Sequence, residues 1–227
     1  MKIQKLLTLA LVTMTMACGS VVHATLTTLD SGPLTLDITD GSAIPVSSSL
    51  NLSGAPAGST IQSVYVTLNI SGGYNGDLVG YLLLQGANGQ NATTTLLNRV
   101  GTSGSDPFGS GGSGFNVTLS DSGTVNGDIH NATGNPTGTW LPDQFAGVNS
   151  LNSTFGGLSA NGTWRLFLAD LSVGGGQSTL NSWGVGVNLS AVPEPATWGM
   201  IFFVGVAGVI VVTRSVNQRL QSRRTRA

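Results

Sequence analysis

Three aspartates, Asp77, Asp121 and Asp170, and one histidine, His130, are the residues of this sequence whose types and positions suggest chemistry. Each of the three aspartates ends or begins a stretch of alternating apolar residues. Carboxylates gathered at strand ends can hold Ca²⁺, a hard ion that takes about six to eight oxygen ligands from side chains, backbone carbonyls and water. The same carboxylates can cap turns instead: Asp77 follows Asn75-Gly76, where loop N–H groups need acceptors. No Asp-x-Asp-x-Asp run is present, so capping without metal is the simpler expectation and Ca²⁺ at Asp77, Asp121 and Asp170 the sharper one.

His130 lies in an Asn/Gly-rich loop, residues 125–138. A Ser-His-Asp site needs a histidine oriented by a carboxylate, and the G-x-S-x-G turn that often presents the serine does not occur. Zinc needs several His, Cys or carboxylate ligands close together. A glycosidase needs a pair of carboxylates, and the single glutamate, Glu194, falls outside the alternating region. These observations predict a non-catalytic domain. The Gly/Ser loop 102–114 formally contains G-x-G-x-x-G, but no helix is expected after it, as a phosphate site would require.

The elements that must position these residues are strands. Apolar residues alternate at Val64, Val66, Leu68 and Ile70, at Phe115, Val117 and Leu119, at Trp164, Leu166 and Leu168, and at Trp183, Val185, Val187 and Leu189. Period-two alternation puts one face of each strand in a core and the other in water. Leu34 to Ile38, Val46 to Leu52, Leu78 to Gln85 and Thr94 to Asn98 add further short strands, and Asn-Gly pairs at 75, 88, 126 and 161 mark turns that tolerate positive φ. The expected fold is all-β, a jelly-roll-like antiparallel β-sandwich. Trp164 and Trp183 fall on apolar faces and are expected in its core.

Both ends of the 227-residue chain read as targeting segments. Residues 1–24 carry Lys2 and Lys5, an apolar run and a small residue, Ala24, at the cleavage position, the pattern of a secretory signal peptide. Residues 196–213 are uncharged and apolar enough for a short transmembrane helix, and Arg214, Arg219, Arg223, Arg224 and Arg226 behind them place the C-terminus in the cytoplasm. Between these segments, residues 25–191 form the predicted external domain. Residues 25–192 carry two cations, Arg99 and Arg165, against nine aspartates, a net charge of −7. That charge excludes a phosphate-neutralising nucleic-acid partner and favours divalent cations or neutral glycans. The only cysteine, Cys18, leaves with the signal peptide.

Val192-Pro193-Glu194-Pro195, the apolar segment and the arginines resemble, in order and spacing, the PEP-CTERM sorting signal of Gram-negative bacteria. The resemblance implies an exosortase that cleaves near Pro193-Glu194-Pro195 in a signal spanning residues 192–227, after signal peptidase has acted. It also implies delivery from the cytoplasmic membrane to the cell surface or the exopolysaccharide matrix. The external domain resembles the P (Homo B) domain of subtilisin-like proprotein convertases through Gly76-Asp77-Leu78, Gly162-Thr163-Trp164, and Asp170 before Ser178-Thr179-Leu180-Asn181-Ser182-Trp183. This implies a jelly-roll sandwich and an accessory role beside a secreted serine endopeptidase. Gly72, Asn75 and Gly176-Gln177 depart from the family pattern.

Overall fold

The predicted strands form, and two that the alternation did not reveal join them. The computed structural model describes residues 24–122, 126–144, 147, 150–190 and 214. The expected signal peptide up to residue 23, Pro193-Glu194-Pro195 and the expected membrane segment 196–213 lie outside the described residues. Among the described residues no helix is long and apolar enough to cross a membrane.

Among the described residues ten strands and one short helix follow in order: β1 (Thr25–Asp30), β2 (Leu36–Ile38), β3 (Ser42–Leu52), β4 (Ile61–Gly72), β5 (Leu78–Gly86), β6 (Asn91–Asn98), β7 (Gly114–Ser120), β8 (Thr137–Trp140), α1 (Leu151–Phe155), β9 (Gly162–Asp170) and β10 (Ser178–Leu189). They build a β-sandwich. One sheet has six strands in the order β1-β10-β4-β7-β8, with β2 pairing the first residues of β10; the other has four in the order β3-β9-β5-β6. Every pair is antiparallel except β7 with β8, where Asn116 faces Thr137 in parallel register. A parallel pair needs a long crossover, and the connection 121–136 supplies it.

The alternation decides which faces meet. Val64, Val66, Leu68 and Ile70 of β4 and Trp183, Val185, Val187 and Leu189 of β10 are buried, and so are Leu82 and Leu84 of β5 and Trp164, Leu166 and Leu168 of β9. Trp164 packs against Phe155 with ring centroids 5.1 Å apart, and its indole N–H donates to the Ala160 carbonyl at 3.1 Å. Trp183 donates its indole N–H to the Ser48 hydroxyl of the opposite sheet at 2.9 Å. Each indole thus buries a large apolar body while its one donor is satisfied.

Two strands went unread for physical reasons. β1 is an edge strand with a largely solvated Thr/Leu sequence, and β8 is four residues long and half exposed. Helix α1 closes a loop through its N-cap, Ser150, whose hydroxyl accepts from the Ser153 N–H at 3.1 Å.

Candidate functional site

Strand β9 runs through the middle of the four-stranded sheet, and its last residue, Asp170, is paired on both sides, with Ser42 of β3 and with Leu78 of β5. The residues just before those partners therefore meet Asp170 from either flank. Asp40 comes from one side and Asp77 from the other. Gln177, which ties the start of β10 to Ile38 of β2, belongs to the same end of the sandwich.

Asp170 is fully buried. Its Oδ1 accepts from the N–H groups of Gly41 (3.4 Å) and Ser172 (3.2 Å), while Oδ2 is buried without a hydrogen-bond partner. Asp40 shows the same division: Oδ2 accepts from the Gly174 N–H at 3.3 Å, and Oδ1 is buried without a partner. Asp77 is 5 % exposed, and the Arg99 guanidinium stands 3.9 Å from its Oδ1, at the limit of an ion pair. Burial first, and then the Asp170 charge, push the Asp77 carboxyl above the usual range, against the lowering effects of the Ser172 hydroxyl and Arg99. Burial likewise pushes Asp170 up; the two N–H groups oppose it and Asp40 adds to it. Three acidic groups with one offset cation form a site of negative potential.

The scaffold around them is close-packed. Asn75, fully buried, donates from Nδ2 to the carbonyls of Gly114 and Gly134 at 3.0 Å each and accepts the Gly114 N–H at 2.7 Å, so one amide joins three connections. Asn75-Gly76 forms a 3-10 turn, not the expected positive-φ turn. Gly76 is needed there because a Cβ would meet the Phe108 carbonyl oxygen. Arg99 has φ +54°, a left-handed backbone uncommon for a side-chain-bearing residue. Its Nε donates to the Gly76 carbonyl at 3.2 Å. Tyr74, Asp77, Phe108, Leu171 and Val173 line a cleft of about 580 Å³ over this turn, and Phe108 and Val173 are exposed on its rim.

His130 faces a second cleft, of about 520 Å³, shared with Thr102 and Asp106. Both its ring nitrogens are engaged: Nδ1 lies 3.0 Å from Asp143 Oδ2 and Nε2 lies 2.8 Å from the Thr102 carbonyl oxygen. Two acceptors call for two ring protons, so the geometry suits imidazolium. Burial works against that charge, but the Thr102 carbonyl and the Asp143 carboxylate outweigh it and raise the pKa of His130. Asp143, itself fully buried, also accepts the Asn98 N–H at 3.0 Å.

Asp121 does not join Asp77 and Asp170. The β4–β7 register pairs Ser71 with Gly114 and Tyr65 with Ser120. Asp121 therefore follows the opposite end of the sandwich, about 20 Å away at roughly 3.3 Å per residue. There its Oδ2 accepts from the Ser150 hydroxyl (2.7 Å) and the Asn152 N–H (2.6 Å) at the start of α1. Of the three aspartates expected together, Asp77 and Asp170 share one end of the sandwich, with Asp40 beside them, and Asp121 lies at the other.

No protein-family model matches the sequence, and no curated protein matches it. Among solved structures the chain is similar to the serine protease of Aeromonas sobria, at 19 % identity and a TM-score of 0.42 over 78 % of this chain and 29 % of that one. It is similar to the same protease in complex with its chaperone, at 18 % identity and a TM-score of 0.43 over 80 % and 29 %. A third is the infectious bursal disease virus VP2 subviral particle, at 14 % identity and a TM-score of 0.26 over 79 % and 44 %. The chain thus spans less than a third of the protease chains it matches. Likeness this distant assigns no activity.

Sequence reasoning missed Asp40, Asn75 and Asp143. Asp40 could be found only from the β3–β9 register, which joins segments more than 110 residues apart, as in the Arg165 to Ser49 contact. Asp143 stands next to Pro142 in a stretch with no alternation, and nothing in the sequence marks it as the partner of His130.

Proposed function

We propose that this chain is an exported, non-catalytic β-sandwich protein of the cell surface or extracellular matrix, handed over by an exosortase at Pro193-Glu194-Pro195. The observation that carries the non-catalytic part is the engagement of His130, the sole histidine left after signal cleavage, by Asp143 and Thr102. A nitrogen already bonded to a carbonyl oxygen has no lone pair to offer as a general base. Export and sorting are supported by the two terminal segments.

The test is the mass and location of the mature protein in its native host, compared with a variant carrying Pro193→Ala, Glu194→Ala and Pro195→Ala. The expected result is a native form without the arginine tail, in the surface or matrix fraction, and a variant retained in the membrane. Retention of the tail by both forms overturns the sorting reading.

A second reading is an accessory domain that binds or stabilises a secreted subtilisin-like endopeptidase. It is favoured by where the motif residues of the P-domain resemblance lie. Leu78 pairs with Asp170, and the Leu171 N–H donates to the Asp77 carbonyl at 2.9 Å, so Gly-Asp-Leu and the aspartate after Gly-Thr-Trp meet directly. Co-purification of such a protease with the full chain supports this reading, and its absence from all fractions holding the chain removes it.

A further inference from the structure

We infer that the end of β9 is a Ca²⁺ site formed by Asp170 and Asp40, with Asp77 as a third, outer charge. This goes beyond the proposed function and is independent of both readings of it. Asp170 is fully buried and Asp40 half-buried; each fixes one oxygen through backbone N–H groups, Gly41 and Ser172 for Asp170 and Gly174 for Asp40, and each keeps a buried oxygen without a partner, Oδ2 of Asp170 and Oδ1 of Asp40. A buried unpaired oxygen on a charged group is costly, and in native structures it calls for an explanation such as an ion. Asp170 is fully buried, so bulk water does not reach it, and Arg99 is directed at Asp77 and the Gly76 carbonyl.

The donor set selects the ion. It holds carboxylate oxygens and neither imidazole nor thiolate, which suits a hard cation and disfavours zinc or copper. Among the described residues no three His, Cys, Asp or Glu side chains already form a cage, so the ion would draw its remaining oxygens from loop carbonyls and water. Such irregular shells suit Ca²⁺ better than Mg²⁺, which demands near-ideal octahedral geometry. Extracellular Ca²⁺ modules bind at about 10⁻⁴–10⁻³ M, the range expected for two first-line carboxylates. Closure of the two carboxylates on the ion would tie the 39–41 connection to 171–175 and organise one wall of the cleft over Asp77.

The experiment is thermal unfolding of the full chain in detergent micelles, after EGTA treatment and then across a CaCl₂ series, with calorimetric titration of CaCl₂ for stoichiometry. Saturating Ca²⁺ is expected to raise Tm by about 5–10 °C, while Mg²⁺ at the same concentration gives a much smaller shift. Asp170→Asn keeps an oxygen for the Gly41 and Ser172 N–H groups while removing the buried charge. Its Ca²⁺-free Tm should equal or exceed that of the parent, and its Ca²⁺ response should vanish. Asp40→Asn should lose the response as well, and it decides the matter should Asp170→Asn fail to fold. No Ca²⁺ shift in the parent chain, or a full shift retained in the asparagine variants, overturns the site.

Discussion

The two ends of the sandwich solve the same problem in opposite ways. At the end where Asp121 lies, connections are tied by neutral groups: the Asn161 side chain both accepts the Ala55 N–H at 2.9 Å and donates to the Ala55 carbonyl at 3.1 Å. Thr60 and Ser190 bond one another, and Asn152 Oδ1 accepts the Val64 N–H at 2.8 Å. A carboxylate there, Asp121, spends its charge on capping α1. At the Asp170 end three aspartates converge, and two carry a buried oxygen with no partner. Among the described residues no buried side-chain oxygen at the Asp121 end lacks a partner, whereas the Asp170 end keeps unused acceptor capacity. The same residue type at a strand end thus takes its role from the neighbours that the register supplies.

The largest effect expected from breaking this frame comes from the layer that both ends share. Trp164→Ala removes the core indole and its bond to Ala160, and should cost about 3–5 kcal/mol in urea unfolding, destabilising both ends together. An effect confined to one end, read by amide exchange, would show that the ends unfold as separate units.

Next comes the charge at His130. Its folded pKa is raised, so the stabilisation it gives is complete below its unfolded value of 6.5 and is lost as pH rises through the folded value. The groups acting on the ring are Asp143, Asp128 and the Thr102 carbonyl. Tm measured from about pH 6 to pH 9 should fall across that window, and Asp143→Asn should both lower Tm and flatten the profile. A profile of unchanged slope in Asp143→Asn would mean that the pair does not set it.

Asp121→Ala should cost about 1 kcal/mol, the usual value of a lost helix-end acceptor, and should leave any Ca²⁺ response intact. A lost response would contradict the assignment of the two aspartates to different ends. The smallest effect belongs to Arg165→Ala. Arg165 lies on the solvent face of β9, 5.9 Å over the Phe167 ring and bonded to the Ser49 hydroxyl, and its removal should change stability by no more than about 0.5 kcal/mol.

Strand content was legible wherever one face is buried, because alternation is the direct imprint of a two-sided environment: Val64 to Ile70, Phe115 to Leu119, Trp164 to Leu168 and Trp183 to Leu189 all fall within strands β4, β7, β9 and β10. It failed where the environment is nearly uniform, as along solvated β1. Asp77 and Asp170 were readable as strand-end carboxylates, but their company was not. Pairing register depends on side chains far apart in sequence, so Asp40 could not be ranked above Asp121 without it.

Strand β1 begins the described domain and pairs along its whole length with β10, which ends it; Thr25 lies opposite Leu189. The six-stranded sheet therefore cannot close until its final segment has been made, and contacts spanning the entire domain favour slow folding. Such a chain emerges from the ribosome unable to complete its structure early. That delay leaves the polypeptide extended and unpaired until its last strand has been made.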